Sequence, residues 1–133
     1  MAKRASPAKS CTVLVADDDS NIRLLLRTFL TGRPGLKVFE AASGIEAVDM
    51  LIREPAQLLV LDLHMPGMNG LEVASFVRAN PATRGATIVM FTSEADTRTR
   101  RKAMLLGVDY YISKPFDPRE FDRVLDRLLE ERK

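Results

Sequence analysis

Several polar residues stand where apolar runs end, and their types suit the handling of a phosphoryl group. Asp17 and Asp18 follow the run Thr12–Ala16, Asp62 closes Leu58–Leu61, Thr92 closes Ala86–Phe91, and Lys114 follows Tyr110–Ile112. A carboxylate at the end of a buried apolar strand is costly to desolvate unless something nearby compensates it. Carboxylates gathered at one spot repel, which raises a pKa or calls for a cation. A hard divalent ion such as Mg²⁺ suits that need, because it prefers carboxylate oxygen and keeps waters that a phosphate can replace. The ammonium of Lys114 and the hydroxyl of Thr92 would then neutralise phosphoryl oxygens. An aspartate is itself a competent acceptor of such a group, as an acyl phosphate.

These residues need elements to hold them, and the apolar pattern supplies ten. Thr12–Ala16, Leu36–Glu40, Leu58–Leu61, Ala86–Phe91 and Tyr110–Ile112 read as strands. Between them lie helix-period segments: Ile22, Leu25, Leu26, Phe29 and Leu30 on one face, then Ala47, Val48, Leu51 and Ile52, then Val73, Phe76 and Val77. Asp96–Leu106 reads as a fourth helix with Gly107 just past its end. Phe121, Val124, Leu125, Leu128 and Leu129 line a fifth. Asp19 or Ser20 would cap the first helix. Ser43 with Glu46 forms a capping box for the second, and Asn69 with Glu72 caps the third. Strands buried on both faces and alternating with helices predict an α/β fold, a three-layer (βα)5 sandwich around a doubly wound parallel five-stranded sheet. In such sheets the carboxyl ends of the strands form the ligand crevice, which is where the polar residues fall.

The totals agree with one domain. The chain has 133 residues, 46% hydrophobic and 29% charged, with a formal net charge of +2. That charge is too small to argue for nucleic acid, and no helix-turn-helix is in view, so no direct DNA contact is expected. Cys11 is the one cysteine, which suits a reducing cytoplasm, and no apolar run is long enough for a membrane span. Residues 1–10, with Lys3, Arg4 and Lys9, read as a flexible basic tail, and residues 11–133 as the domain.

Five ordered motifs resemble the receiver domains of two-component response regulators. They are Asp17–Asp18 after a strand, Leu61–Asp62, the loop His64–Met65–Pro66–Gly67–Met68–Asn69–Gly70, Phe91–Thr92–Ser93, and Tyr111–Ile112–Ser113–Lys114–Pro115–Phe116. The resemblance spans roughly residues 11–131 and implies the flavodoxin- and CheY-like strand order 2-1-3-4-5, which brings the tips of strands one and three together. It implies that Asp62 accepts a phosphoryl group from the phosphohistidine of a sensor histidine kinase or histidine phosphotransfer protein. Mg²⁺ would be held by Asp18, Asp62 and the backbone carbonyl of His64, with Asp17 acting through bound water. Lys114 and Thr92 would contact the phosphoryl oxygens. Thr92 and Tyr111 would move together as a switch, reshaping the face made by helix four, strand five and helix five for an effector, an output domain or a phosphorylation-linked homodimer. His64 and Glu94 would tune acyl-phosphate lifetime. The Lys114–Pro115 peptide is expected to be cis.

Plainer readings accompany some of these residues. Ser93 fits a strand-end hydroxyl satisfying backbone, and Tyr111 fits core packing. Arg98, Arg100, Arg101 and Lys102 crowd the start of helix four, where positive charge opposes the helix dipole. They mark either a solvated face or a surface for an acidic partner. Arg119/Asp122, Arg123/Asp126 and Arg127/Glu130 would pair along helix five. A rival function is a haloacid-dehalogenase-like phosphatase with Asp17 as nucleophile, since Asp17 and Asp19 fit an Asp-x-Asp arrangement. It leaves Asp62 and its loop unexplained.

Overall fold

The computed structural model describes residues 11–93, 96–115 and 117–131, with side chains in the last helix described through Leu128. The predicted basic tail and Glu94 lie outside the described residues. The elements run β1 (Cys11–Ala16), α1 (Ser20–Thr31), β2 (Leu36–Ala41), α2 (Gly44–Arg53), β3 (Leu58–Leu61), α3 (Gly70–Ala79), β4 (Thr87–Thr92), α4 (Thr97–Leu105), β5 (Tyr110–Ser113) and α5 (Pro118–Glu131). The sheet is five-stranded in the order β2-β1-β3-β4-β5, and every neighbouring pair is parallel.

Alternation along each strand divides the core into two layers. Val13 and Val15, Leu58 and Val60, and Val89 and Phe91 face α1 and α5, where Leu26, Leu30, Phe121, Leu125 and Leu128 cover them. Leu14, Leu59, Leu61, Ile88, Met90 and Tyr111 face the other way, beneath Ala47 and Leu51 of α2, Val73, Ala74 and Val77 of α3, and Ala103 of α4. No helix among the described residues is long and apolar enough to cross a membrane.

Two residues assigned to apolar stripes sit outside them. Leu25 is 43% and Ile52 64% exposed. At 100° per residue each lies about 90° from the centre of its helix's buried arc, and a flat sheet covers less than that. The Ser43 cap forms, with Oγ accepting from the Glu46 N–H, but the Glu46 carboxylate takes the N–H of Ala42 instead of closing the box on Ser43. The full box forms at Asn69 and Glu72, and Asp19 rather than Ser20 caps α1. In α5, Asp122 and Asp126 ion-pair with Arg33 across the layer in place of the expected Arg119/Asp122 and Arg123/Asp126 pairs, while the Glu130 side chain of the third expected pair lies outside the described residues. Arg33 is a nearby guanidinium held at the α1–β2 turn, and it offers both carboxylates a tertiary partner.

Arg78 fastens α3 to the far end of α4. Its guanidinium donates to the carbonyls of Gly107, Arg84 and Ala86 and pairs with Asp109 at 2.9 Å. Asp109 in turn accepts the N–H of Ile88. Gly107 has φ 98° and lies so close that a Cβ there would meet the Arg78 side chain at 2.8 Å, so both its conformation and its lack of a side chain are required.

Candidate functional site

Parallel pairing of β1 with β3 sets Ala16 opposite Leu61, so the residues that follow emerge side by side at the carboxyl edge of the sheet. Asp62 N–H continues the ladder to the Ala16 carbonyl at 2.9 Å, and Asp17 N–H does the same to Ala41 at 3.1 Å. Asp17 and Asp62 are 1% and 7% exposed, while Asp18 faces solvent. Carboxylate oxygens of Asp17, Asp18 and Asp62 lie within 4.8 Å of one another.

Lys114 enters from the tip of β5, its N–H anchored on the Thr92 carbonyl at 2.8 Å. Its ammonium sits 3.0 Å from Asp17 Oδ2 and 3.6 Å from Asp62 Oδ1. The Lys114–Pro115 peptide is cis, as expected. Thr92, at the end of β4, is fully buried. Four strand tips therefore deliver one lysine, one hydroxyl residue and three carboxylates to a single corner.

Burial pushes the Asp62 carboxyl above the usual carboxylate range, and the neighbouring Asp17 charge pushes it further. Lys114 and the backbone N–H groups of Leu63 and His64 pull the other way and do not cancel the rise. A carboxylate cluster that one ammonium leaves uncompensated fits a divalent cation with oxygen ligands, so the donor set present matches Mg²⁺. The loop after Asp62 is held close by Gly70. Its N–H donates to the Leu63 carbonyl, and a Cβ there would come within 2.3 Å of the Asp62 carbonyl oxygen.

Residues 13–126 match the family described as the response regulator receiver domain. The chain belongs to that receiver family. A chemotaxis protein CheY homolog of Campylobacter jejuni is 37% identical over 118 residues, which is 88% of this chain and 91% of the relative. The transcriptional regulatory protein ResD of Bacillus subtilis is 40% identical over 108 residues, 81% of this chain but 43% of the relative. The chain thus spans nearly all of one relative and under half of another. Among solved structures, the chemotaxis response regulator CheY4 of Vibrio cholerae superposes with TM-score 0.82 at 28% identity, covering 90% of this chain and 98% of that one. The receiver is a two-component signalling domain, and the comparisons lend no support to the haloacid-dehalogenase reading.

Within the receiver, Asp17, Asp18, Asp62 and Lys114 are brought together, with Thr92 supplying the backbone anchor. His64 is exposed on the loop beside Asp62. Tyr111 is buried in the core layer under α4, and the Arg100 guanidinium lies 5.6 Å from its ring centroid. That contact joins the basic start of α4 to the expected switch residue. Sequence reasoning missed Arg23 and Glu40. Arg23 donates to the Asp17 carbonyl at 2.5 Å and pairs with Glu40 at 3.2 Å. The sequence signal, an arginine inside an apolar helical stripe and a glutamate ending a strand, carries no partner information.

Proposed function

We propose that Asp62 is the phosphoacceptor and that Asp17, Asp18, Thr92 and Lys114 are its chemical surroundings. The observation that carries this is the ammonium of Lys114 sitting between Asp17 and Asp62 beside the exposed Asp18. An Asp62 oxygen would attack the phosphorus of a phosphohistidine on a partner kinase or phosphotransfer protein. The P–N bond breaks, the electron pair returns to the imidazole, and an acyl phosphate remains on Asp62. Asp18, Asp62 and the His64 backbone carbonyl are the residues that would hold Mg²⁺, with Asp17 reaching it through water. Bound there, the ion supplies positive charge to the phosphoryl oxygens.

The Lys114 ammonium is placed to exchange part of its carboxylate contact for a phosphoryl oxygen once negative charge accumulates on Asp62. Thr92 would donate its hydroxyl to the same group. Withdrawal of Thr92 toward the site, with Tyr111 following, would alter the face of α4, β5 and α5, where Arg100 already stacks on the tyrosine. That face would meet an effector, an output domain or a second copy of the chain. His64 and Glu94 would modulate the lifetime of the acyl phosphate. Hydrolysis returns Asp62 and inorganic phosphate, so the chain resets itself without turning over an external substrate.

Incubation with Mg²⁺ and acetyl phosphate, borohydride reduction of the acyl phosphate and peptide mapping will place the label on Asp62. Asp62→Asn will carry none. Label on Asp17, with Asp62→Asn still modified, would overturn the proposal. Amide shift mapping with beryllofluoride will show larger changes in α4, β5 and α5 than in α2 and α3, and the reverse pattern would refute the assignment of the output face.

A further inference from the structure

Asp17 is immobilised at every polar atom. Its N–H donates to the Ala41 carbonyl, Oδ1 accepts the Asp19 N–H at 2.9 Å, Oδ2 accepts Lys114 at 3.0 Å, and its carbonyl accepts Arg23 at 2.5 Å. Asp18 is the opposite case. It is exposed, and among the described residues its side chain takes part in no hydrogen bond or ion pair. Among the described residues, nothing orients this carboxylate toward Asp62 except its own backbone.

The Asp17 carbonyl and the Asp18 N–H belong to one planar peptide unit. Fixing the carbonyl therefore fixes the plane from which the Asp18 side chain departs. The guanidinium that does so is itself held. Arg23 Nε pairs with Glu40 Oε1 at 3.2 Å, and Glu40 Oε2 is taken by Arg27 Nε at 2.6 Å, one turn along α1. Arg27 also donates to the Val38 carbonyl at 3.2 Å. The Arg23 side chain is 17% exposed, so this is a packed bracket running from α1 through β2 to the β1 tip.

We infer that Arg23 is a positioning residue for the metal, orienting Asp18 as a ligand through the Asp17–Asp18 peptide, with Glu40 as its brace. This rests on the reading of the acidic cluster as a Mg²⁺ site. Charge and position pull in opposite directions. A guanidinium that donates to the backbone carbonyl of Asp17 lowers the affinity of the adjacent acidic cluster for a cation by repulsion, so its removal would tighten binding if charge were its whole effect. Lost orientation would weaken binding, as loss of an outer partner of a metal ligand does, by about tenfold or more. The sign of the change discriminates the two.

Position also predicts selectivity. Mg²⁺ demands near-octahedral geometry, whereas Ca²⁺ accepts irregular oxygen sets. In an isothermal or NMR titration of the whole chain, Arg23→Ala will weaken Mg²⁺ by about tenfold and Ca²⁺ by less. Arg23→Lys, which keeps a donor and the charge, will recover part of the loss. Glu40→Gln keeps Arg23 but loosens its brace. Losing a carboxylate weakens both cations by charge alone, so this variant is read through the Mg²⁺/Ca²⁺ affinity ratio, which will fall between wild type and Arg23→Ala. It serves if Arg23→Ala does not fold. Equal or tighter Mg²⁺ binding in Arg23→Ala would overturn the inference, as would equal losses for Mg²⁺ and Ca²⁺ in either variant. A wild-type chain that takes up no Mg²⁺ would sink the metal reading and this inference with it.

Discussion

Replacing Lys114 with methionine removes the ammonium while nearly keeping the length of the side chain. The group removed lies 3.0 Å from Asp17 and 3.6 Å from Asp62, and the two aspartate side chains are 2% and 9% exposed. At an effective dielectric near 20 each attraction is worth about 5 kcal/mol before desolvation of the ammonium is counted against it. Removing one partner of a buried ion pair costs about 3–5 kcal/mol net, because the remaining charge stays buried. Here two carboxylates that already repel each other would be left. Lys114→Met is therefore expected to lose about 3–5 kcal/mol in metal-free buffer, a fall in Tm of about 12 °C or more for a domain of this size. The chain has no tryptophan, so urea denaturation followed by far-ultraviolet circular dichroism is the suitable assay. Millimolar Mg²⁺ should restore much of the loss, because a divalent ion binding the folded state replaces the missing positive charge. A metal-free variant within about 0.5 kcal/mol of wild type would behave like an ordinary surface substitution. That result would refute the electrostatic account of this corner.

Asp62 has a pKa raised by burial and by Asp17, so the folded protein binds its proton more tightly than the unfolded chain. Its contribution to stability is full below the unfolded carboxylate value and is lost as pH rises through the raised one. Asp62→Asn should thus gain stability over wild type progressively across that window in metal-free buffer, and a gap independent of pH would contradict the assignment. Gly70→Ala would drive a Cβ to 2.3 Å from the Asp62 carbonyl. It should cost about 2 kcal/mol or more by overpacking and slow acetyl-phosphate labelling of Asp62, and wild-type labelling would count against the close approach. Arg78→Ala leaves the carbonyls of Ala86 and Gly107 and the Asp109 carboxylate without this donor. A loss of about 2–4 kcal/mol is expected by denaturation, with hydrogen exchange rising first at the α4–β5 turn.

Much of this architecture was legible because local signals and the global fold agree. Asn69 with Glu72 caps α3 as its spacing predicts, and Leu58–Leu61 is buried on both faces as an uninterrupted apolar run requires. The convergence of Asp17, Asp18, Asp62 and Lys114 was legible for a similar reason: a polar residue closing an apolar strand is costly unless something nearby compensates it. Stripe edges were not. Leu25 and Ile52 have the spacing of core residues, yet how much of a helix is covered depends on the breadth of the sheet beneath it.

The sequence by itself determined which residue types stand at each strand tip, the alternation that buries both faces of the sheet, and the caps that begin α2 and α3, while leaving that of α1 between Asp19 and Ser20. These are short-range matters, decided within a few positions by period and hydrogen-bonding capacity. Only the tertiary structure decided that Lys114 lies between Asp17 and Asp62, that Arg23 grips the Asp17 carbonyl with Glu40 behind it, and that Arg33 draws Asp122 and Asp126 away from neighbours on their own helix. Such partners are separated by up to 97 positions. Their distances follow from strand order and register, which no local pattern contains.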